Sequence, residues 1–229
     1  MNKTEVTKGI HKSWSFVEEL CIGMTFSNPS PMKVEEEYRN LVLSENPKYE
    51  DIYLCGIRLS HYNFMLYDYS FFQFSCSDDY EVAYSYSPNP FGDSFERMEE
   101  WRQLLEQGII LEPEFDQLME SSQVSINQPP IRYENSRSQY RGLEHPCSHL
   151  HIGFHRENRW AISRVLTPEA FTMFILKQYY PTEWSGFGYS EESEFGNNFE
   201  ERLSIERRDC RIIGDDFFSD REKETFHFS

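Results

Sequence analysis

The chain has cysteines but no cysteine pattern. Cys21, Cys55, Cys76, Cys147 and Cys210 are scattered, odd in number, and include no CxxC pair. That excludes a disulfide framework and a cysteine-rich zinc fold, and it suits a reducing compartment. Long apolar runs are missing too. The richest stretch, "AFTMFIL" from Ala170 to Leu176, falls far short of the roughly 20 residues that span a bilayer. The first residues, "MNKTEVTKGIHKSW", are polar and carry no signal-peptide pattern, so the expectation is a cytoplasmic protein with no membrane partner. Phosphate-loop spacing, HExxH and internal repeats are also lacking. Basic residues are scarce, with 22 Lys and Arg against 39 Asp and Glu, a net charge of −17. On average such a surface repels nucleic acid and anionic membranes.

What is abundant is aromatic. Nineteen Phe and 14 Tyr raise the aromatic share to 16%, enough to argue for a packed core despite 27% charged residues. A length of 229 residues suits a single domain, with a helical part over 1–48, a sheet-rich core over 50–181 and an acidic part over 182–229.

Spacing predicts the elements. Ile10, Trp14, Val17, Cys21 and Met24 recur at helical intervals, giving a helix over about residues 4 to 24, and "VEEEYRNLVL" a shorter one. "DIYLCGIRL", "YNFMLY", "SFFQFSCS" and "EVAYSYS" are short and rich in β-branched and aromatic residues, as in an antiparallel meander. "SFERMEEWRQLLEQG" reads as a helix capped by Ser94, with Phe95, Met98, Trp101 and Leu105 on its apolar face, and "EPEFDQLMESS" as another. "SINQPPIRYENSRSQYRG" reads as a loop or edge strand because of its two prolines. "SHLHIGFH", "RENR" and "WAISRVL" form a hairpin. "TPEAFTMFILKQYY" is a helix capped by Thr167, with Phe171, Phe174, Ile175 and Tyr179 as its buried stripe. The acidic, Gly-rich stretch after Pro181 reads as a mobile linker or lid, and "RLSIERRDCRIIG" as a last strand. The fold class is therefore α+β: an antiparallel sheet, amino-terminal helices, and a carboxy-terminal helix packed on the final hairpin.

"EHPCSHLHIGFHRENRW", residues 144 to 160, holds four of seven histidines. It lies in the one segment with a positive balance, since residues 131–181 carry seven basic and four acidic groups, net +3. Alternation along a strand puts Cys147, His149, His151, Gly153 and His155 on one face, and Leu150, Ile152 and Phe154 on the other. His149 and His151 lie roughly 6–7 Å apart at about 3.3 Å per residue, so both rings reach one ion or phosphate, whereas His155 is roughly 20 Å from His149. Three readings compete. The histidines are structural; or they are acid and base in metal-free phosphodiester cleavage; or they ligate a transition metal with further ligands that the sequence leaves unnamed, His61, Asp68 and His145 being candidates. Cys147 shares the His149 face and is a candidate nucleophile.

"YRGLEHPCSHLHIGF" followed by "RWAISRVLTPEAFTMFILKQYYP" resembles the carboxy-terminal signature of domain-of-unknown-function family 2290, found in bacteria. His145, Pro146, His149, Gly153, Leu166, Thr167, Pro168, Phe171 and Tyr180 carry that likeness, and "FFQFSCSDDYEVAYSYSPNPFG" is similar to the family's tyrosine-rich strand pair. The resemblance implies no assigned reaction or cofactor, and it suggests an association with mobile elements or phage defence. The functional expectation is a His-dependent phosphodiesterase or nuclease using His149 and His151, with Arg141 and Arg164 as phosphate contacts and nucleic acid as partner at residues 131–181. Metal and cofactor are left open, with a lean towards metal-free chemistry because no third ligand shows at suitable spacing. The alternative is a non-catalytic interaction or regulatory subunit with a protein partner, or a homo-oligomer.

Overall fold

The computed structural model describes every residue except 34, 46, 78, 80, 92–94, 122–127, 154–157, 189–197 and 227–229. The chain opens with α1 (Lys3–Glu19), started by a reciprocal cap in which the Asn2 side chain accepts from Glu5 N and Glu5 accepts from Asn2 N, both at 2.8 Å. Val6, Ile10 and Val17 form its buried stripe. The helix stops earlier than its apolar spacing predicts. Cys21 takes a left-handed φ of 56°, and Gly23–Phe26 leaves as strand β1, which leaves Met24 exposed.

Next come α2 (Glu36–Val42) and α3 (Tyr49–Arg58). The second of these corrects a predicted strand. Tyr49, Ile52, Tyr53 and Gly56 are buried together at three- and four-residue intervals, so the β-branched and aromatic composition was misleading and the helical period decided. Strands β2 (Phe64–Leu66), β3 (Phe71–Cys76) and β4 (Val82–Ser87) follow, then α4 (Phe95–Glu106) and α5 (Glu112–Ser121). Ser94, the expected cap of α4, lies outside the described residues.

Strands β5 (Ile131–Asn135), β6 (Ser148–Ile152) and β7 (Trp160–Ala161) complete a seven-stranded sheet, antiparallel throughout and in sequence order. β5 was expected as loop or edge, yet it pairs with β4 on one side and β6 on the other. Pro129 and Pro130 precede its first paired residue, so neither removes a donor from the ladder. The final hairpin also differs from expectation. "WAISRVL" divides into β7 and β8 (Arg164–Val165), and β8 pairs with β9 (Arg211–Ile212) in a separate two-stranded sheet. Of the apolar trio expected on β6, Leu150 is buried, Ile152 at the strand end is exposed, and Phe154 lies outside the described residues. His155 lies outside them as well.

One face of the sheet is the core. Phe72, Phe74, Tyr84, Tyr86 and Tyr133 point into it, and α6 (Pro168–Tyr179) lies over them with Phe171 edge-on to Phe72 and Phe74. Thr167 caps α6 by accepting from Ala170 N at 3.1 Å, with Pro168 in the first turn. The helix is buried nearly all round, from Pro168 to Met173 and at Ile175 and Leu176, because α1 packs against its far side. Phe174 and Tyr179 are only half-buried. After it come α7 (Pro181–Gly188), α8 (Phe199–Asp209) and α9 (Asp220–Phe226). Helix α8, capped by Asn198, takes up most of the stretch expected as a last strand, of which only β9 is one, and the expected linker falls largely on 189–197, outside the described residues.

Gly9 marks the closest approach of α1 and α6. A Cβ there would sit 2.6 Å from Glu169 Oε2 and 2.7 Å from Pro168 Cγ. Helix propensity alone would make Gly9→Ala stabilising by roughly 1 kcal/mol. We expect the opposite sign, a loss of about 1–3 kcal/mol from overpacking, measured by chemical denaturation.

Candidate metal centre

The opposite face of the sheet changes character along its width. Where α3 covers it, the sheet offers Phe71 and Met65, which join Tyr49, Tyr53 and Phe91 in a second apolar cluster. Beyond that cover the side chains turn polar. The strand register lines them up in two rows. One runs Gln73, Ser85, Arg132, His151, and the other Ser75, Ala83, Glu134, His149, Ala161. A period of two along β5, with Ile131, Tyr133 and Asn135 buried on one face and Arg132 and Glu134 on the other, puts an acid and a base directly beside the histidines of β6.

The three ligand-type side chains converge. One nitrogen from each of His149 and His151 and one oxygen of Glu134 all lie within 4.8 Å of one another. His149 Nε2 stands 3.0 Å from His151 Nε2 and 3.7 Å from Glu134 Oε2. Ligands at zinc-type bond lengths on a tetrahedron stand about 3.3 Å apart, so these separations bracket what one ion requires. His149 Nδ1 lies 2.8 Å from Pro146 O and must carry the proton to bond there, which leaves its Nε2 lone pair facing the cluster. A carbonyl that fixes the tautomer of a ligating histidine is the usual outer support of a metal site. Arg132 Nε holds Glu134 Oε1 from the other side at 2.9 Å.

Both imidazoles are kept neutral. Burial is the main cause for each, bringing His149 down to about 4 and His151 to about 3. Glu134 and the Pro146 carbonyl oppose the effect at His149, whereas Arg132, His149 and Arg159 add to it at His151. With His149 protonated on Nδ1, the 3.0 Å contact makes His151 Nε2 the donor to His149 Nε2, and a metal ion would require that proton to move to the unpartnered Nδ1 of His151.

Space opens from the cluster in two directions. A cavity of ≈ 750 Å³ has His151, Arg132, Ser85 and Gln73 on its sheet side and Tyr38 and Val42 of α2 on the other. Gly153 lies at its mouth, with a positive φ of 86° and its N–H bonded to Pro130 O at 2.8 Å. A smaller hollow of ≈ 190 Å³ is bounded by Glu134, Arg132, His61 and Tyr38.

The residues singled out from sequence end in different places. His149 and His151 come together, buried rather than solvent-facing. His145 sits beside them, its ring edge-on to His149 at 5.0 Å, and Arg141 lines a pocket with it. Arg164 lies elsewhere. Its guanidinium donates to the carbonyls of Cys210 at 2.8 Å and Arg208 at 3.3 Å, at the end of α8, because β8 has left the large sheet. Asp68 accepts from Tyr180 OH and Ser70 N in the β2–β3 turn. Cys147 is buried, and burial pushes its thiol up, away from a nucleophilic thiolate. Sequence reasoning missed Glu134 and Arg132. Their signal was the alternation in "IRYEN", in phase with the histidines of β6, and the neighbouring prolines masked it.

No helix among the described residues is long and apolar enough to cross a membrane. Neither the curated proteins nor the solved structures contain a significant match to this chain. One family model does match, covering residues 24–229, and these include every residue of the cluster. The chain belongs to the family described as "Uncharacterized conserved protein (DUF2290)".

Proposed function

We propose that this protein is a metal-dependent hydrolase of phosphate-bearing substrates, with one transition-metal ion held by His149, His151 and Glu134. The observation that carries the reading is the convergence of two imidazole nitrogens and a carboxylate oxygen within 4.8 Å, with Glu134 of β5 directly opposite His149 and His151 two positions further along β6. Two histidines and a carboxylate are a ligand set of hydrolytic zinc sites, in which a water takes the remaining position. Such an ion supplies a water ionisable near neutral pH and polarises a phosphoryl oxygen.

The protein's own groups do the rest. Arg132 braces Glu134 and faces the large cavity, where its guanidinium can neutralise a phosphoryl oxygen beside His151. A metal held by His149, His151 and Glu134 would supply an activated water as the nucleophile for the phosphate ester. The hydroxyls of Tyr38 and Ser85 donate to Gln73 Oε1, which leaves their oxygens as acceptors for the organic part of the substrate. A small or single-stranded substrate suits a net charge of −17 better than duplex nucleic acid does.

A metal-free acid–base pair is the second reading, favoured by the direct 3.0 Å contact between the two Nε2 atoms, which could share a proton. It requires an imidazolium beside Arg132, in a buried setting that opposes positive charge. The assay that separates the two incubates purified protein with mixed RNA, mixed DNA and a small aryl phosphodiester, before and after chelation. Hydrolysis that chelator abolishes and zinc or manganese restores is the expected result. Chelator-resistant hydrolysis would point to the metal-free pair, and metal binding without any hydrolysis to an interaction subunit with a structural ion.

A further inference from the structure

The loop joining β5 to β6 builds a second pocket on the opposite flank of the cluster from the large cavity. Its volume is ≈ 410 Å³, and it is lined by Ser138, Gln139, Arg141, Glu144, His145 and Arg159. The loop is held in shape from both ends. Glu81 Oε1 accepts from Ser136 Oγ and Ser138 Oγ, both at 2.6 Å, and His149 Nδ1 meets Pro146 O at the other end. Between them Arg141 N donates to His145 O at 2.9 Å across a turn that Gly142 makes at φ 57°, which brings Arg141 and His145 to the same rim. Arg159, immediately before β7, closes the far wall.

Three observations point to a missing anion. Among the described residues neither Arg141 nor Arg159 has an ion-pair partner, although two guanidinium groups share one pocket in an acidic protein. The Nε of Arg159 and the Nδ1 of His145 are shut off from solvent with no hydrogen-bond partner. Buried polar atoms in that state are rare and usually mark a bound water, ion or ligand. The carboxylate that lines the pocket, Glu144, is exposed at its edge and makes no ion pair with either arginine.

We propose that Arg141, His145 and Arg159 form a binding site for a tetrahedral oxyanion, the phosphate of a substrate or product. Guanidinium forks match such an anion through the paired N–H groups of Arg141 and Arg159, and the His145 ring shares the pocket with them. The His145 ring touches His149, so an anion held here lies beside the metal-holding histidine and opposite the large cavity. The substrate then carries a second anionic group besides the phosphoryl centre that reacts. This last step rests on the metal-centre reading, whereas anion binding by the pocket does not.

The test titrates inorganic phosphate into metal-stripped full-length protein by calorimetry. Wild type and an Arg97→Gln control are expected to bind alike, while Arg141→Gln and Arg159→Gln weaken binding tenfold or more and Arg141→Lys recovers part of the loss. Circular dichroism confirms folding of each variant, and a fold lost in Arg141→Gln leaves His145→Gln to carry the comparison. Undiminished affinity in these variants would overturn the proposal. So would phosphate binding that appears only after metal is restored, since the anion would then sit on the ion. Failure of wild type to bind at millimolar phosphate is equally fatal. If no metal binds under any condition but phosphate still depends on Arg141 and Arg159, the metal reading falls and the anion site stands.

Discussion

His149→Ala is expected to lower transition-metal affinity by about a hundredfold or more, and Glu134→Gln to do much the same. Loss of a mere outer-shell partner already costs 10–100-fold at such sites, and these two side chains supply donor atoms themselves. His149 is the more damaging loss, because it is fully buried and positioned at both ends of its ring, by Pro146 O and by the facing Nε2 of His151. Glu134→Gln keeps the shape of the side chain but removes its charge. The free amide cannot balance a divalent ion, and the Arg132 guanidinium is left without its 2.9 Å partner. Arg164→Gln should leave the metal in place, since that guanidinium serves the carbonyls at the end of α8. Elemental analysis after dialysis against a metal buffer, followed by competition with a chromophoric chelator, measures all three. Unchanged affinity in both His149→Ala and Glu134→Gln would sink the metal centre.

Phe171→Ala should be the most destabilising single truncation in α6, at about 3–5 kcal/mol. Phe171 is fully buried, with Phe72, Phe74 and Tyr84 around its ring at centroid distances of 6.3, 6.3 and 5.8 Å. These neighbours stand on two strands and belong to an interlocked aromatic layer, so they have little freedom to collapse into the vacated space. For a chain of this length each kcal/mol moves the melting temperature by about 2–4 °C, so a fall of roughly 6–20 °C is expected in scanning calorimetry. Phe171 lies on the far side of the sheet from His149 and Glu134. Folded Phe171→Ala protein should therefore keep its metal affinity, and a loss of metal without a loss of stability would contradict this division of the two faces.

The division explains what was readable in the chain and what was not. Alternation from Phe72 in "FFQFSC" and through "VAYSYS" put the core aromatics on one face of β3 and β4 and Gln73, Ser75, Ala83 and Ser85 on the other, so two layers of structure followed from a period of two. "TPEAF" announced α6 through a cap, a first-turn proline and an acidic first turn, all local interactions that the structure retains. Tertiary context overruled the sequence where composition and period disagreed. "DIYLCGIRL" has strand-like residues, but burying Tyr49 and Tyr53 together with Phe71 requires a helix. Likewise β5 enters the sheet despite Pro129 and Pro130, because their missing donors fall before the ladder begins.

By itself the sequence determined that the chain is an aromatic-rich α+β fold without a disulfide framework, and that His149 and His151 share one face of one strand. Local periodicity and side-chain chemistry suffice for both. The partners of that face were decided only by the tertiary structure. Glu134 lies fifteen residues before His149 and becomes its neighbour through strand register, and both histidines end up buried. Arg164 is as close in sequence to His149 as Glu134 is, yet the departure of β8 towards α8 carries it away. Local alternation fixes which face a side chain takes, whereas the choice of neighbouring strand and the path of the chain are outcomes of packing over the whole sheet.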